Sequence, residues 1–275
     1  MPRKKSIDIQ KVSATKLESF VSCPYKYYLK YIRRTDRRAP ATTHMIFGIL
    51  IHKVLEEFIR YVTSKPLNPD IAKMRVDLQQ EMYRLLLLKS RELLQNHPKL
   101  FQYLNLTVDM IYNNYLFTYI DWFFSNQLYS QRLSAEREFN IPILDVARTL
   151  PQDQLHPNWQ QYANTILNGK IDLTIYPDVV VDYKTQPYPP HLQRLLGSFQ
   201  TNLYTLIEDK DMTFVYLYVK KPLQAKTIKI LRDGRIDKFN SLISALDLLM
   251  NPSGYKKNPK SCHYCIYYKM CYGIK

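Results

Sequence analysis

Apolar positions fall into two patterns along this chain, and the change comes near residue 130. Before it, they recur at helical spacing. The stretch 13–32, "SATKLESFVSCPYKYYLKYI", starts with Ser13 as an N-cap candidate and has Leu17, Phe20, Val21 and Tyr28 at helical spacing. Pro24 stands just after Cys23 and is expected to break or kink that helix. Residues 33–44 read as a polar loop. Residues 45–63, 71–98 and 107–130 read as three long helices. After residue 130 the runs become short and strand-like. Strands are expected over 134–143, 164–177 and 178–185, the last with the continuous apolar "VVV" of a buried strand. Tyr176-Pro177-Asp178 is a turn signal and makes 164–185 a hairpin. A helix over 191–208, strands over 212–221 and 225–232 and a helix over 236–250 complete the order, followed by "NPSGYKKNPKS" as a loop. The expectation is an α/β protein, a helical block followed by a mixed sheet with a crossover helix.

Length and composition narrow this. The chain has 275 residues and 46% hydrophobic content, enough for a folded core. No apolar run approaches the roughly 18 residues of a membrane span. The basic start "MPRKKSIDIQKVS" lacks the apolar stretch of a signal peptide. A soluble, cytoplasmic protein without membrane contact is expected. There is no GxxxxGK[ST] phosphate loop, so ATP hydrolysis is not expected.

Net charge is +15, and it is unevenly placed. Residues 1–40 carry a net +8 and residues 210–275 a net +9, while the centre is slightly acidic. Basic surface of this size fits nucleic acid as partner. The 23 tyrosines include runs interleaved with Lys/Arg, such as "YKYYLKYIRR". These suit either stacking on unpaired bases or aromatic packing in the core.

Four cysteines are present. Cys262, Cys265 and Cys271 form C-x₂-C-x₅-C, and Cys23 lies near the start. Nothing points to secretion and disulfides, so the set reads as a metal or iron–sulfur site. Zinc usually takes two C-x₂₋₄-C pairs, and the one-plus-three arrangement favours a cluster.

The hairpin carries the candidate chemistry. Asp172 lies on one strand and Asp182 on the next. Strands lie about 4.8 Å apart, so acids at matching heights can share a divalent cation. Lys184 is two residues beyond Asp182 and shares its strand face. Two acids and a lysine suit phosphodiester hydrolysis with Mg²⁺ or Mn²⁺. Charges placed straight after "VVV" are costly unless used.

Gly169 and Asp172, then Asp182 and Lys184, then Gln200 and Tyr204 in Q-x₃-Y resemble the PD-(D/E)XK nuclease superfamily. The similarity is greatest to the branch with the RecB and AddB nuclease domains and the CRISPR adaptation exonucleases. That branch also has a helical G-x₃-H, matched by Gly48 and His52, and a four-cysteine frame. Ser13, Leu17, Cys23, Pro24 and Tyr27 fit its first part, and the C-terminal trio fits its second. The resemblance covers residues 13–63 and 134–275. It implies a restriction-endonuclease-like core within one domain over 1–275. Residues 64–130 would be a helical insertion, and 13–31 plus 251–275 an iron–sulfur-closed lobe. It also implies that Asp172, Asp182 and Lys184 are catalytic, and that His52, Asp172, Asp182 and the Tyr183 carbonyl hold Mg²⁺ or Mn²⁺. Cys23, Cys262, Cys265 and Cys271 would hold a [4Fe–4S] cluster. Gln200 and Tyr204, i and i+4 on one helix face, would touch the DNA backbone or position the lysine, with Glu136 in support. A metal-dependent DNA exonuclease is implied, with DNA as partner and recombination, helicase or CRISPR adaptation proteins around it. The rivals are a structure-selective endonuclease on the same core, an inactive DNA-binding protein, and a zinc-dependent nucleic-acid binder.

Overall fold

A computed structural model describes residues 10–35, 43–186, 190–217, 225–250, 255–262, 265 and 267–273. Strand β1 (Lys11–Val12) leads into α1 (Ala14–Ser22), whose Ser13 cap accepts from the Lys16 amide. The chain is extended at Cys23 and restarts with Pro24 as the first residue of α2 (Pro24–Tyr27). Pro tolerates that place because its missing N–H would be unpaired there anyway. Helix α3 (Thr43–Ser64) buries Phe47, Leu50, Ile51, Val54, Leu55 and Phe58 at the spacing of one helical stripe. Then follow α4 (Ile71–Asn96), α5 (Leu100–Leu104), α6 (Val108–Ile111) and α7 (Phe117–Ser125).

The second half holds β2 (Leu133–Pro142), α8 (Ile143–Ala147), β3 (Ile166–Ile175), β4 (Val179–Lys184), α9 (Leu192–Leu196), α10 (Phe199–Glu208), β5 (Asp211–Tyr216), β6 (Lys226–Ile230) and α11 (Arg235–Met250). A short α12 (Tyr268–Tyr272) lies in the cysteine tail. The sheet is mixed: β3 pairs antiparallel with β2 and β4, β4 runs parallel to β5, and β6 returns antiparallel. Helices α9 and α10 make the crossover that a parallel β4–β5 pair requires.

Two hydrophobic clusters form on the strands. One joins α3, α4 and α7 to Leu173, Val181, Tyr183 and Val215. The other joins α1, α10 and α11 to Val180, Phe214 and Tyr216. Val180 and Val181 fall in different clusters, as strand alternation demands. The helices between residues 64 and 130 therefore share one continuous core with the sheet.

Several expected elements differ in detail. The helix read over 107–130 is interrupted at Tyr112–Leu116, where the turn widens, and ends at Ser125. The helix read over 191–208 divides at Gly197-Ser198, because Ser198 caps a new helix by accepting from the Thr201 amide at 3.1 Å. Strand β1, which pairs parallel with β3 at Ile166 and Leu167, was not read from the sequence. The far end of the strand read over 212–221 and parts of the 33–44 and 251–261 loops lie outside the described residues.

Candidate active site

The site sits where two strands part. Strand β2 pairs with one edge of β3 along its length, from Ile166 to Ile175. The other edge is shared. β1 takes Ile166 and Leu167, and β4 takes Leu173 to Ile175. Between them β3 and β4 fork. The last ladder pair is Leu173 with Val181, so one step further brings Asp172 level with Asp182. The Tyr183 amide donates to Asp172 Oδ2 at 2.8 Å. A carboxylate thus accepts the strand hydrogen bond that the fork would otherwise leave open.

Asp182 is 4% exposed. The Lys184 ammonium lies 2.5 Å from its Oδ2. Gln200 Nε2 donates to Asp182 Oδ1, and Gln200 Oε1 accepts from Lys184 Nζ at 3.1 Å. The three side chains form a closed triangle, with Lys184 also over the Phe214 ring. Burial pushes the Asp182 carboxyl above its ordinary range, and nearby Asp172 adds to this against the pull of Lys184. Burial alone would lower the Lys184 pKa, but Asp182 more than offsets it and holds the ammonium charged.

His52 approaches from α3, its Nδ1 3.1 Å from Asp172 Oδ1. Burial disfavours its protonation, yet the Asp172 hydrogen bond and the two carboxylates win and shift it upward. Gly48 lies one turn earlier against Thr185, where an added Cβ would meet Thr185 Oγ1 at 3.6 Å. That is ordinary contact, so sterics alone do not demand glycine at 48.

The supporting residues are placed by longer-range packing. Glu136 on β2 ion-pairs with Lys170 on β3. The Tyr204 hydroxyl donates to the Lys170 carbonyl at 2.6 Å, and its ring meets Phe139 edge-on. Tyr204 is 7% exposed and braces β3, while Gln200 of the Q-x₃-Y pair is itself a corner of the charged triangle. Gly169 has a steric role: a Cβ there would lie 2.4 Å from Phe139 Cζ. Tyr119 of α7 was not singled out from sequence. Its hydroxyl meets that of Tyr183 at 2.9 Å in the buried core, fixing the residue between Asp182 and Lys184 from beneath. No local signal joins residues 119 and 183.

The donor set suits a hard cation. Asp182 Oδ2 is buried and receives no aligned hydrogen bond, because Lys184 approaches it off the hydrogen-bonding line. Such an oxygen gains from a cation. Among the described residues, no group of three or more His, Cys, Asp or Glu is already gathered tightly enough to hold a metal ion. His52 and Asp172 instead bond directly to one another.

The cysteines lie near the junction of the chain ends. The Ser22 carbonyl accepts from Asn258 Nδ2 at 2.7 Å and from Ser261 Oγ at 2.8 Å. The Tyr25 amide donates to the Lys256 carbonyl, and Tyr28 packs on Tyr255. All four thiols are unbridged. Burial raises the Cys271 pKa; Lys257 opposes this, and Cys262, Cys23 and Cys265 add to it. The four sulfurs are thus electrostatic neighbours, a set that fits a thiophilic metal or cluster in kind, though not in closed spacing.

A family model described as the PD-(D/E)XK nuclease superfamily matches residues 11–272. No curated protein matches the chain. Among solved structures, one described as "Crystal structure of SSO0001" is similar over 82% of this chain and 96% of that one, at 14% identity and a TM-score of 0.35. A likeness that distant supports no further step. Among the described residues no helix is long and apolar enough to cross a membrane.

Proposed function

Because this chain belongs to the PD-(D/E)XK nuclease superfamily, we propose that it is a metal-dependent DNA exonuclease whose terminal cysteines hold an iron–sulfur cluster. The observation that carries the catalytic part is the Asp182–Lys184–Gln200 triangle facing Asp172 across the fork. Asp172, Asp182, His52 and the Tyr183 carbonyl would hold Mg²⁺ or Mn²⁺. When bound, the ion offsets phosphate charge and lowers the pKa of a water. Lys184, held protonated by Asp182, aims an N–H donor at the attacking water or at charge developing on the phosphate. Gln200 keeps its ammonium from swinging away. Tyr119 and Tyr183 fix the strand that bears both groups.

The exonuclease part and the cluster rest on the resemblance of the Gly48/His52 and four-cysteine motifs to the RecB/AddB-like branch. The cluster would be structural, joining the basic chain ends beside the nuclease core. Its test is colour and metal content. Protein prepared without oxygen should be brown and contain about four irons per chain. Stoichiometric zinc without iron would refute the cluster. For the activity, a linear DNA should be degraded with Mn²⁺ or Mg²⁺ and spared with EDTA, while a covalently closed circle of the same sequence survives. Efficient nicking of the circle would replace exonuclease with endonuclease.

A further inference from the structure

The end of β4 lies between two cavities, and Gln186 lines both. The first, of about 600 Å³, opens from Lys184 and Gln200 toward α1, α2 and α9. Its wall carries Lys26, Lys30 and Arg194. Glu18 is an acid in that wall, and its Oε1 accepts from the Gln200 amide at 3.4 Å. The second cavity, of about 560 Å³, has a different character. Phe47, Leu106, Met110 and Tyr115 make its apolar walls, with His44 and Asn114 as hydrogen-bonding groups. Phe47 and Tyr115 meet edge-on, their ring centroids 5.0 Å apart.

Helix α3 ties the second cavity to the reaction centre. His44, Gly48 and His52 are spaced i, i+4 and i+8 on one face. At 1.5 Å per residue the cavity's His44 stands roughly 12 Å along the axis from His52. Gly48, midway, is the point where Thr185 of the β4 end crosses the helix. So a cationic hollow and an aromatic hollow flank the same catalytic strand.

A nucleic-acid strand presents these two chemistries: an anionic backbone and flat apolar bases edged with hydrogen-bonding groups. Lysine and arginine suit the first, and an aromatic hollow with a few amide and imidazole groups suits the second. A base stacked and paired in a duplex has no use for such a hollow.

We propose that the cavity formed by the start of α3 and the 104–115 segment is a nucleobase subsite, which takes one unstacked base next to the phosphate held at Asp182 and Lys184. The proposal rests on the nuclease reading and gives the helical segment between residues 64 and 130 a direct part in substrate binding. The backbone of the same strand runs along Lys26, Lys30 and Arg194.

The test is a binding measurement without cleavage. Fluorescein-labelled oligothymidylate is titrated in EDTA, with a single abasic site walked through every position, and anisotropy is read. One position should stand out, where loss of the base weakens binding roughly five- to a hundred-fold, the worth of one aromatic-stacked base. Met110→Glu, at a residue 42% exposed, should weaken the intact oligonucleotide similarly and flatten the profile. Asn114→Ala, a milder change, should lower affinity only when the base at that position is present. A flat profile in the wild type, or a peak that persists in Met110→Glu, overturns the subsite. Cleavage is measured separately on linear DNA. A protein that cuts but shows a flat profile loses the subsite alone. One that shows the peak yet never cuts with Mn²⁺ loses the nuclease reading and keeps a base-binding cavity.

Discussion

At the strand fork, Asp182 is 4% exposed and engages Lys184 and Gln200 in one closed set of contacts; at the junction of the chain ends, Cys262, Cys265 and Cys271 are half-buried, and the polar contacts are spread over the Ser22 and Lys256 carbonyls.

 Lys184 stands 2.5 Å from Asp182 and 3.1 Å from Gln200, a buried arrangement in which each polar group depends on the others. The junction depends instead on a few contacts between segments more than 230 residues apart. The fork therefore gathers charged and amide side chains on a scaffold already held by two cores. The junction contributes closure of the chain.

The largest effect should come from breaking the fork. Lys184→Ala or Asp182→Asn should lower cleavage about 10²- to 10³-fold, as for removal of one preorganised charge-stabilising group. Circular dichroism and melting should stay near wild type, since Asp182→Asn also removes a buried carboxylate that burial disfavours. A variant that unfolds would instead make the triangle a structural support.

The junction should respond in the opposite way. Cys23→Ser or Cys262→Ser should lose visible absorbance and lower the melting temperature, because closing a loop of nearly the whole chain costs several kcal/mol of entropy that thiolate bonding offsets. Cleavage per folded molecule at low temperature should persist. Equal loss of cleavage and stability would erase the contrast between the two regions.

Gly169→Ala tests the packing that supports the fork. Its Cβ would overlap the Phe139 ring, a clash worth about 1–3 kcal/mol. Phe139→Leu in the same chain should restore part of the loss, read as thermal midpoint.

The smallest effect belongs to the tyrosine pair. Tyr119→Phe leaves the buried Tyr183 hydroxyl without its partner, at a cost of about 1 kcal/mol or somewhat more. Adding Tyr183→Phe should recover much of it. An additive double mutant would show that the two hydroxyls do not act as a pair.

The hairpin that carries Asp172, Asp182 and Lys184 was legible because its signals are local. A period of two puts Asp182 and Lys184 together, and Tyr176-Pro177-Asp178 marks the turn. The Ser13 cap and the Pro24 break were local as well. What escaped reading were the contacts set by distant partners, even where the residue itself had been singled out. Gly169 is needed because of Phe139, thirty positions earlier on a neighbouring strand. Tyr204 turns to the Lys170 carbonyl, and Tyr119 reaches Tyr183 across the core. Strand β1 has two residues, too few for any periodicity to show. The helix read over 191–208 hid a second Ser cap, because apolar spacing continues across Gly197-Ser198.

The central claim is that phosphodiester cleavage occurs at the fork and needs a divalent cation there. Its most direct test is a time course on end-labelled linear DNA with wild type, Lys184→Ala and Cys262→Ser side by side, each with Mn²⁺ and with EDTA. The account predicts cleavage by the wild type and by folded Cys262→Ser with Mn²⁺, none with EDTA, and at least a hundredfold loss in Lys184→Ala. Full-rate cleavage by Lys184→Ala, or cleavage that persists in EDTA, would contradict it.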